Sequence, residues 1–464
     1  MAFLLTVWTW VLVVLFFGLA VFIHEFGHFL AAKLLGFRIE VFSIGFGPAL
    51  WKKRVNGVEY KVSLIPFGGY VALPQLDPSG MDKLQGEADR ENIPDVAAWK
   101  RIVVAVAGPL GNVVLAVVLA FLIFAVPGVK TGGVGTEIGY ISQKSQAYQA
   151  GVRVGDKIVS AAGAKVETWN DFILECHLAG KPGDKVSVEV LRGGRIHKLD
   201  LELVSRLSNQ ITLVEGIGPA GVGTIDEVRP GTPADAAGLR KGDKIQAVDG
   251  KAVTGSASFV GLMKEVGTKT VVIEVERGTE KLAIPVTPRM DAAEGRPLIG
   301  VAVANAVDYV PVWMRYKDPR LQLKGDAESI LRVFRAFFAP KTQGEGSRAA
   351  KSLGGPVTIF AQLYYTLRDS FMSGLGFLRF LCINLAILNL LPLPVLDGGH
   401  ILFALFEMIF RRKLPAKMIE LLVNGFAIAL IGLMVLLVYS DVRRLVPVFG
   451  KKEAPVAQED VGGK

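Results

Sequence analysis

The sequence predicts a multi-pass α-helical membrane protein that also carries re-entrant β-hairpins and two tandem β-rich domains. Three observations lead to this fold class: long uncharged segments, an internal repeat, and glycine-bearing β-like segments after the first apolar run. The chain has 464 residues, of which 51% are hydrophobic, and its mean hydropathy is +0.41. This composition is too apolar for an ordinary soluble protein.

Four segments carry no charged side chain: residues 2–23, 102–129, 380–396 and 421–440. Because a helix needs about 20 apolar residues to span a bilayer, these segments predict four transmembrane helices. The third is the shortest and contains polar groups. The first run has an alternative interpretation as a cleaved signal peptide. It lacks the expected basic start, however, and His24 and Glu25 follow where a small-residue cleavage site would stand.

The net charge is +9, an excess that also occurs in nucleic-acid-binding proteins. Its placement favours a membrane instead, because basic residues cluster between spans one and two and between spans three and four. The positive-inside rule then puts both connections in the cytoplasm and the long middle segment outside. The sequence therefore predicts membrane lipid and no nucleic acid as a partner. The two cysteines, Cys176 and Cys382, predict no disulfide framework.

The middle segment contains an internal repeat. The stretch AGVRVGDKI at 150–158 recurs as AGLRKGDKI at 237–245, and alternating apolar residues follow at 184–192 and 269–277. Such alternation predicts half-buried strands. The repeated signature resembles PDZ domains, which bind an extended peptide as an added strand, so peptide ends are predicted ligands. The alternative is a duplicated β-rich domain that only shields or spaces another part.

Two segments between the first two spans, 42–51 and 62–73, mix β-branched and aromatic residues with glycines. They predict β-hairpins that lie in a re-entrant position, buried against protein at membrane depth. A membrane-surface loop without contact to substrate is the alternative.

Residues 326–338 show apolar positions at helical spacing and predict an amphipathic helix, either on the membrane surface or against the second repeat.

The segment HEFGH at 24–28 fits the H-E-x-x-H motif at the end of the first apolar run. His24 and His28 lie on one face of a helix and can bind one Zn²⁺, with Glu25 as general base towards a metal-bound water. Ionisable groups in a span are costly and are functional candidates. The alternative is that the helix ends here and the histidines lie at the membrane interface.

A third ligand is expected from the third span, which reads NLAILNLLPLPVLDGGH at 384–400. Pro392 and Pro394 would break the helix, which lets the carboxylate of Asp397 approach a metal. His400 is a competing ligand, and an ordinary capped helix end is the alternative. Asn384 and Asn389 stand in apolar sequence and require hydrogen-bond partners.

These motifs, together with AGPLGN at 107–112 and the tandem PDZ-like repeat, resemble the site-2 protease family. The resemblance implies an intramembrane zinc metalloprotease of the bacterial inner membrane, with a cytoplasmic-side active site and periplasmic PDZ domains. It implies Zn²⁺ held by His24, His28 and Asp397, with Glu25 as catalytic base. It further implies cleavage of single-span membrane proteins, such as pre-trimmed anti-sigma factors and remnant signal peptides. The implied substrate-binding residues are Asn384, Asn389, Gly68, Gly69 and Tyr70.

Two other classes of protein share some of these features. A zinc transporter would also place histidines and acids in spans, but it needs neither a glutamate base nor PDZ-like modules. A membrane scaffold would keep the PDZ pair but has no use for HEFGH and LDGG.

The predicted organisation is 1–33 as the first transmembrane helix, 34–97 as the hairpin region, 98–128 as the second span, 129–212 and 213–291 as the PDZ domains, 292–372 as a linker with the amphipathic helix, 373–400 and 418–440 as the third and fourth spans, and 441–464 as a polar tail.

Overall fold

A computed structural model describes residues 2–76, 96–129, 131–206, 211–291, 296–305, 311–340, 342, 344–352 and 354–449. The chain divides into two compact units. The first comprises Met1–Val129, Asp318–Glu328 and Leu353–Lys464, and the second comprises Lys130–Lys317 and Ser329–Ser352.

The helices have these bounds in chain order: α1 Ala2–Leu35, α2 Ala98–Ala125, α3 Gln146–Gln149, α4 Trp169–Ala179, α5 Pro233–Ala236, α6 Ser256–Val266, α7 Pro319–Phe338, α8 Glu345–Ser352, α9 Pro356–Asp369, α10 Phe371–Asn389, α11 Asp397–Phe410 and α12 Ala416–Phe449. A 3₁₀-helix covers Val312–Met314.

The strands have these bounds: β1 Val41–Val55, β2 Val58–Ala72, β3 Ile138–Ile141, β4 Lys157–Ala161, β5 Ala164–Lys165, β6 Lys185–Arg192, β7 Arg195–Arg206, β8 Ile211–Val214, β9 Ile217–Pro219, β10 Gly223–Val228, β11 Lys244–Val248, β12 Lys251–Ala252, β13 Val271–Arg277, β14 Glu280–Val286, β15 Arg289–Asp291, β16 Arg296–Leu298 and β17 Val301–Asn305.

The prediction of four membrane-length helices is confirmed for the described part of the chain. The qualifying stretches are Phe3–Leu35, Ala98–Ala125, Phe371–Asn389 and Lys417–Arg443. Only 6% of the most apolar window of α12 is buried within the protein, and side chains such as Leu421, Ile428 and Val435 are exposed. An apolar helix surface of this kind is suited to contact with lipid.

Two predicted boundaries in this unit are wrong. The third span does not reach 400, because α10 ends at Asn389 and a separate helix, α11, begins at Asp397. The segment 441–449 is not part of a polar tail, because α12 continues to Phe449. Asp441 is buried there and accepts hydrogen bonds from the backbone N–H groups of Gly355, at 3.0 Å, and Thr358, at 2.9 Å. The rest of the predicted tail, 450–464, lies outside the described residues.

The two segments predicted to form re-entrant hairpins pair with each other in one sheet rather than forming two separate hairpins. Residues 41–44 have strand partners on both sides: Val41 is paired with Glu59 and with Ala72, and Ile44 is paired with Val62 and with Gly69. The segment 51–55 pairs with 58–62 across the turn at Asn56 and Gly57. Both residues of this turn have positive φ, 49° and 83°, which is typical of an Asn-Gly type I′ turn.

The second unit contains two similar β-rich halves. The first half has a sheet of order β5-β4-β6-β7-β8, and the second has the order β14-β13-β11-β10-β17 with β12 paired to β11. Phe172 on α4 and Phe259 on α6 occupy corresponding places in the two hydrophobic cores. The helix α4 begins with a capping box formed by Thr168 and Asp171, which satisfies backbone N–H groups at its first turn.

The repeated glycine–aspartate signature forms the same ion pair in both halves. Asp156 accepts two hydrogen bonds from Arg192, at 2.6 and 2.7 Å, and Asp243 accepts two from Arg277, both at 2.7 Å. Each arginine also donates to the carbonyl of the signature glycine, Gly151 at 2.7 Å and Gly238 at 2.8 Å in turn. Both carboxylates are fully buried, so each copy of the signature supplies a bidentate charge pair as well as a turn.

Strand pairing moves the predicted boundaries of the two halves. The strand β9, at 217–219, pairs with β3 of the first half and lies beyond the predicted end at 212. The strand β17, at 301–305, pairs with β10 and extends the second half beyond 291. The predicted linker, 292–372, therefore contains a core strand as well as α7, α8 and α9. The amphipathic helix α7 begins at Pro319, seven residues before the predicted start.

Candidate metal centre and active site

The helices α1 and α2 approach closely through glycines at the site. A Cβ on Gly27 would overlap the backbone of Ala107, and one on Gly108 would overlap the imidazole ring of His28. A Cβ on Gly111 would lie 2.7 Å from the carbonyl oxygen of Ile23. Small residues let helices in a membrane pack backbone to backbone. The AGPLGN segment of α2 therefore provides the space in which the α1 histidines lie.

Three ionisable side chains meet in the first unit. The Nε2 atom of His24 lies 3.3 Å from Oδ2 of Asp397, and Nε2 of His28 lies 3.3 Å from Oδ1 of Asp397. The two Nε2 atoms are also 3.3 Å apart. These three residues are the group of possible metal ligands found in the described part of the chain. His400, one turn after Asp397 on α11, is not a member of it.

The separations fit a tetrahedral zinc ion. Zinc–nitrogen and zinc–oxygen bonds of about 2.0–2.2 Å put neighbouring donor atoms about 3.3–3.6 Å apart in tetrahedral geometry. The three measured separations, 3.3 Å each, lie at the short end of this range, with the two histidines facing different oxygens of the Asp397 carboxylate. One donor atom from each of the three residues would leave a fourth position for water or substrate. Two imidazoles and one carboxylate are also a donor set that zinc accepts.

Asp397 reaches the histidines because the chain turns sharply after α10. It is the first residue of α11, and a negative charge is favoured at a helix N-terminus. The turn that precedes it contains Pro392 and Pro394, which end the helix as expected. A Cβ on Gly398 would overlap the carbonyl oxygens of Leu390 and Leu391, so the glycines after Asp397 are required by this close return of the chain.

Glu25, next to His24 on α1, faces the sheet of β1 and β2. The backbone N–H of Val71 donates a hydrogen bond to its carboxylate. A Cβ on Gly69 would lie 3.2 Å from Cγ of Glu25 and 2.7 Å from the carbonyl oxygen of Ser43. Strand β2 therefore runs directly past the expected base, and only a glycine fits at position 69.

The other predicted substrate-binding residues differ in their distance from the ligands. The amide of Asn389, at the last position of α10, lies 3.5 Å from Nε2 of His24. Asn384 is half-buried on the same helix, and five residues of α-helix rotate it about 140° away from Asn389. Gly68 has φ +127° and packs on Phe46. The ring of Tyr70 stacks on that of Phe46 at 6.3 Å.

Sequence reasoning assigned no role to Asn112, which lies at this site. Its side chain is fully buried, and Nδ2 lies 3.4 Å from Nδ1 of His24. The signal in the sequence was a lone amide within the uncharged segment 102–129, because a polar side chain in a span requires a partner.

The site combines an H-E-x-x-H motif on a membrane-length helix, an aspartate that follows a broken helix, and an adjacent β-strand. This arrangement defines a metallopeptidase centre. The model of peptidase family M50 matches residues 12–433. The Regulator of sigma-E protease RseP of Escherichia coli K12 is 29% identical over 450 residues, which cover 92% of this chain and 97% of the relative. Protease RseP of Yersinia pestis is 30% identical over 460 residues, 94% of this chain and 99% of the relative.

The chain belongs to peptidase family M50, and it is an intramembrane zinc metalloprotease of the site-2 class. The resemblance stated from the motifs is thereby confirmed. Among solved structures, a PDZ domain of an SdrC-like protein from Listeria monocytogenes aligns with 28% identity and a TM-score of 0.17 over 18% of this chain and 87% of that domain.

Proposed function

We propose that His24, His28 and Asp397 hold the zinc ion and that Glu25 is the general base. The observation that carries this assignment is the set of three donor separations of 3.3 Å among the Nε2 atoms and the Asp397 carboxylate. A bound zinc ion supplies a Lewis acid that activates water and polarises the scissile carbonyl. Glu25 takes the proton from the attacking water and passes it to the leaving amine.

The substrate is a single membrane-spanning segment that pairs with the edge of β2 at Gly68, Gly69 and Tyr70. A peptide bond within a helix is shielded, and pairing with a strand replaces its helical hydrogen bonds. The position of Gly69 against Glu25 supports this path, because a strand added at that edge brings its backbone to the base. Asn389 and Asn384 then hold the extended backbone, with Asn389 next to His24.

The physiological role we propose is regulated intramembrane proteolysis in the bacterial inner membrane. The names of the relatives support a role in envelope stress signalling, with pre-trimmed anti-sigma factors and remnant signal peptides as substrates. The two halves of the second unit are PDZ domains that face the periplasm, accept peptide ends and exclude substrates with large outer domains.

A cleavage assay tests the catalytic assignment. Purified wild-type and Glu25→Gln proteins receive a tagged single-span peptide with a short outer tail, with and without a zinc chelator. We expect cleavage by the wild type only, abolished by chelator, while both proteins bind one zinc ion per chain. If neither protein cleaves although zinc is bound, a metal-binding scaffold becomes the better assignment. Cleavage by the Glu25→Gln variant would refute the role of Glu25.

Labelling of single cysteines tests the orientation. Lys52 in the re-entrant sheet and Lys181 in the first PDZ-like half are both exposed, whereas the two natural cysteines are buried. A membrane-impermeant maleimide added to spheroplasts should label Lys181→Cys and leave Lys52→Cys unlabelled until the cells are lysed. The reverse pattern would invert the proposed topology.

A further inference from the structure

The two zinc-binding histidines each direct their second ring nitrogen at helix α2. Nδ1 of His28 lies 2.8 Å from the carbonyl oxygen of Val104. A carbonyl only accepts hydrogen bonds, so Nδ1 of His28 carries the proton and its Nε2 presents a lone pair to the metal site. This contact selects the tautomer of His28 that can bind a metal.

His24 requires the same tautomer, because its Nε2 also faces the metal site, 3.3 Å from Asp397. Its Nδ1 must then carry a proton and find an acceptor. The group in contact with it is the amide of Asn112 at 3.4 Å. An amide presents a donor nitrogen and an acceptor oxygen, and only the oxygen can accept from Nδ1–H.

The amide oxygen of Asn112 is available for this contact. Oδ1 is buried and has no hydrogen-bond partner within the described residues. Rotation of the amide by 180° exchanges Oδ1 and Nδ2 without changing the space that the side chain fills. In either orientation one amide atom lacks a partner, but only the orientation with Oδ1 towards Nδ1 makes a hydrogen bond when Nε2 of His24 is bound to a metal.

We propose that Asn112 is a positioning residue that accepts a hydrogen bond from Nδ1–H of His24 through Oδ1. It holds the ring in the tautomer and orientation that zinc requires. Asn112 performs for His24 what the Val104 carbonyl performs for His28, so one helix, α2, orients both histidines of α1. The proposal rests on the proposed function insofar as His24 is a zinc ligand.

Zinc affinity of the full-length protein in detergent tests this role. Asn112→Leu keeps the approximate volume but removes the acceptor, and Asn112→Asp restores an acceptor at the same place. Loss of such a partner typically weakens metal binding 10- to 100-fold, so we expect that loss in Asn112→Leu and near wild-type affinity in Asn112→Asp. The matched control is Thr9→Val, which removes a buried hydroxyl from α1 away from the site.

The visible absorption spectrum of the Co²⁺-substituted protein reports the geometry of the metal ligands. A loss of fold stability alone would not shift its bands. We expect altered band positions in Asn112→Leu and wild-type bands in Asn112→Asp and Thr9→Val. Wild-type zinc affinity in Asn112→Leu would overturn the proposal, as would an equal loss in Asn112→Leu and Asn112→Asp. The variant His24→Ala tests the ligand assignment separately from the role of Asn112. If His24→Ala binds zinc as tightly as the wild type, His24 is not a zinc ligand.

Discussion

At the scale of single residues, the site requires glycines at particular positions as well as ionisable side chains. Gly108 leaves room on α2 for the imidazole of His28, and Gly69 leaves room on β2 for Glu25. The segments that form this site therefore contain glycines that do no chemistry themselves. Their role is to let three segments of backbone approach one metal-sized space.

We predict that Gly108→Ala displaces His28. A methyl group there overlaps the ring, and overpacking of this kind typically costs about 1–3 kcal/mol. The variant should therefore bind zinc about 5- to 150-fold more weakly than the wild type, as measured by competition with a chromogenic chelator. Gly18→Ala is the control, because a Cβ on Gly18 of α1 meets nothing within 4 Å. Equal affinities of the two variants would contradict the packing argument.

At the scale of elements, a buried charge pair fastens α10 to the beginning of α7. Arg379 on α10 is 1% exposed and donates to Asp326, at 2.6 Å, and to Gln322. The sequence alone indicated no role for Arg379, although this charged residue stands beside the uncharged segment 380–396. Because α10 also carries Asn389, this pair helps to set the position of the helix that borders the site.

The Arg379–Asp326 pair yields a stability prediction. Arg379→Met leaves the carboxylate of Asp326 buried and unpaired, which typically costs about 3–5 kcal/mol. The double variant Arg379→Met, Asp326→Leu removes both charges and should recover most of this loss. Thermal unfolding in detergent measures both. If the double variant unfolds at a lower temperature than Arg379→Met, the cost of an unpaired buried carboxylate is not the cause of the loss, and the prediction is wrong.

The Asp–Arg pair that is repeated in the two β-rich halves predicts that the stability of each half depends on pH. Burial would raise the pKa of Asp243, but the hydrogen bonds and charge of Arg277 outweigh burial and lower it. A lowered carboxyl pKa stabilises the folded state above the unfolded value of about 3.9, and this stabilisation is lost as the pH falls through the folded value.

We therefore expect Asp243→Asn to destabilise the second half by about 2 kcal/mol at pH 7, and the difference from wild type to shrink below about pH 4. Hydrogen exchange of peptides covering β11 and β13, compared between the proteins at each pH, measures this. The control is Asp226→Asn, because the Asp226–Lys241 pair is exposed on both sides. Such a pair contributes about 0–1 kcal/mol. A difference that persists unchanged at low pH would count against the charge pair.

At the scale of the whole molecule, the PDZ-like region is expected to act as a size filter. Strand pairing shows how to remove it cleanly, since β17 ends at Asn305 and belongs to the second half. Replacement of residues 133–305 by a flexible glycine–serine linker should permit cleavage of substrates that retain a large outer domain. A gel assay with trimmed and untrimmed forms of one substrate measures the change. Unchanged selectivity would refute the filter.

Much of this architecture was predictable because it depends on patterns within short stretches of the sequence. Uncharged runs of about 20 residues indicate spans whatever their neighbours are, and histidines four residues apart share a helix face by geometry alone. The proline and glycine residues around Asp397 also indicated a broken segment correctly. The two β-rich halves followed from a repeat that is visible without any structure.

The remaining features depend on contacts between distant parts of the chain. Three features join residues far apart in sequence: the membership of β9 and β17 in their sheets, the pairing of β1 with β2 in one sheet, and the capping of α9 by Asp441. The sequence by itself determined which segments are helices in a membrane and which side chains are suited to zinc. Only the tertiary structure decided that His24, His28 and Asp397 meet at 3.3 Å with Asn112 beside them, because such separations are set by the packing of helices against one another and not by residue type.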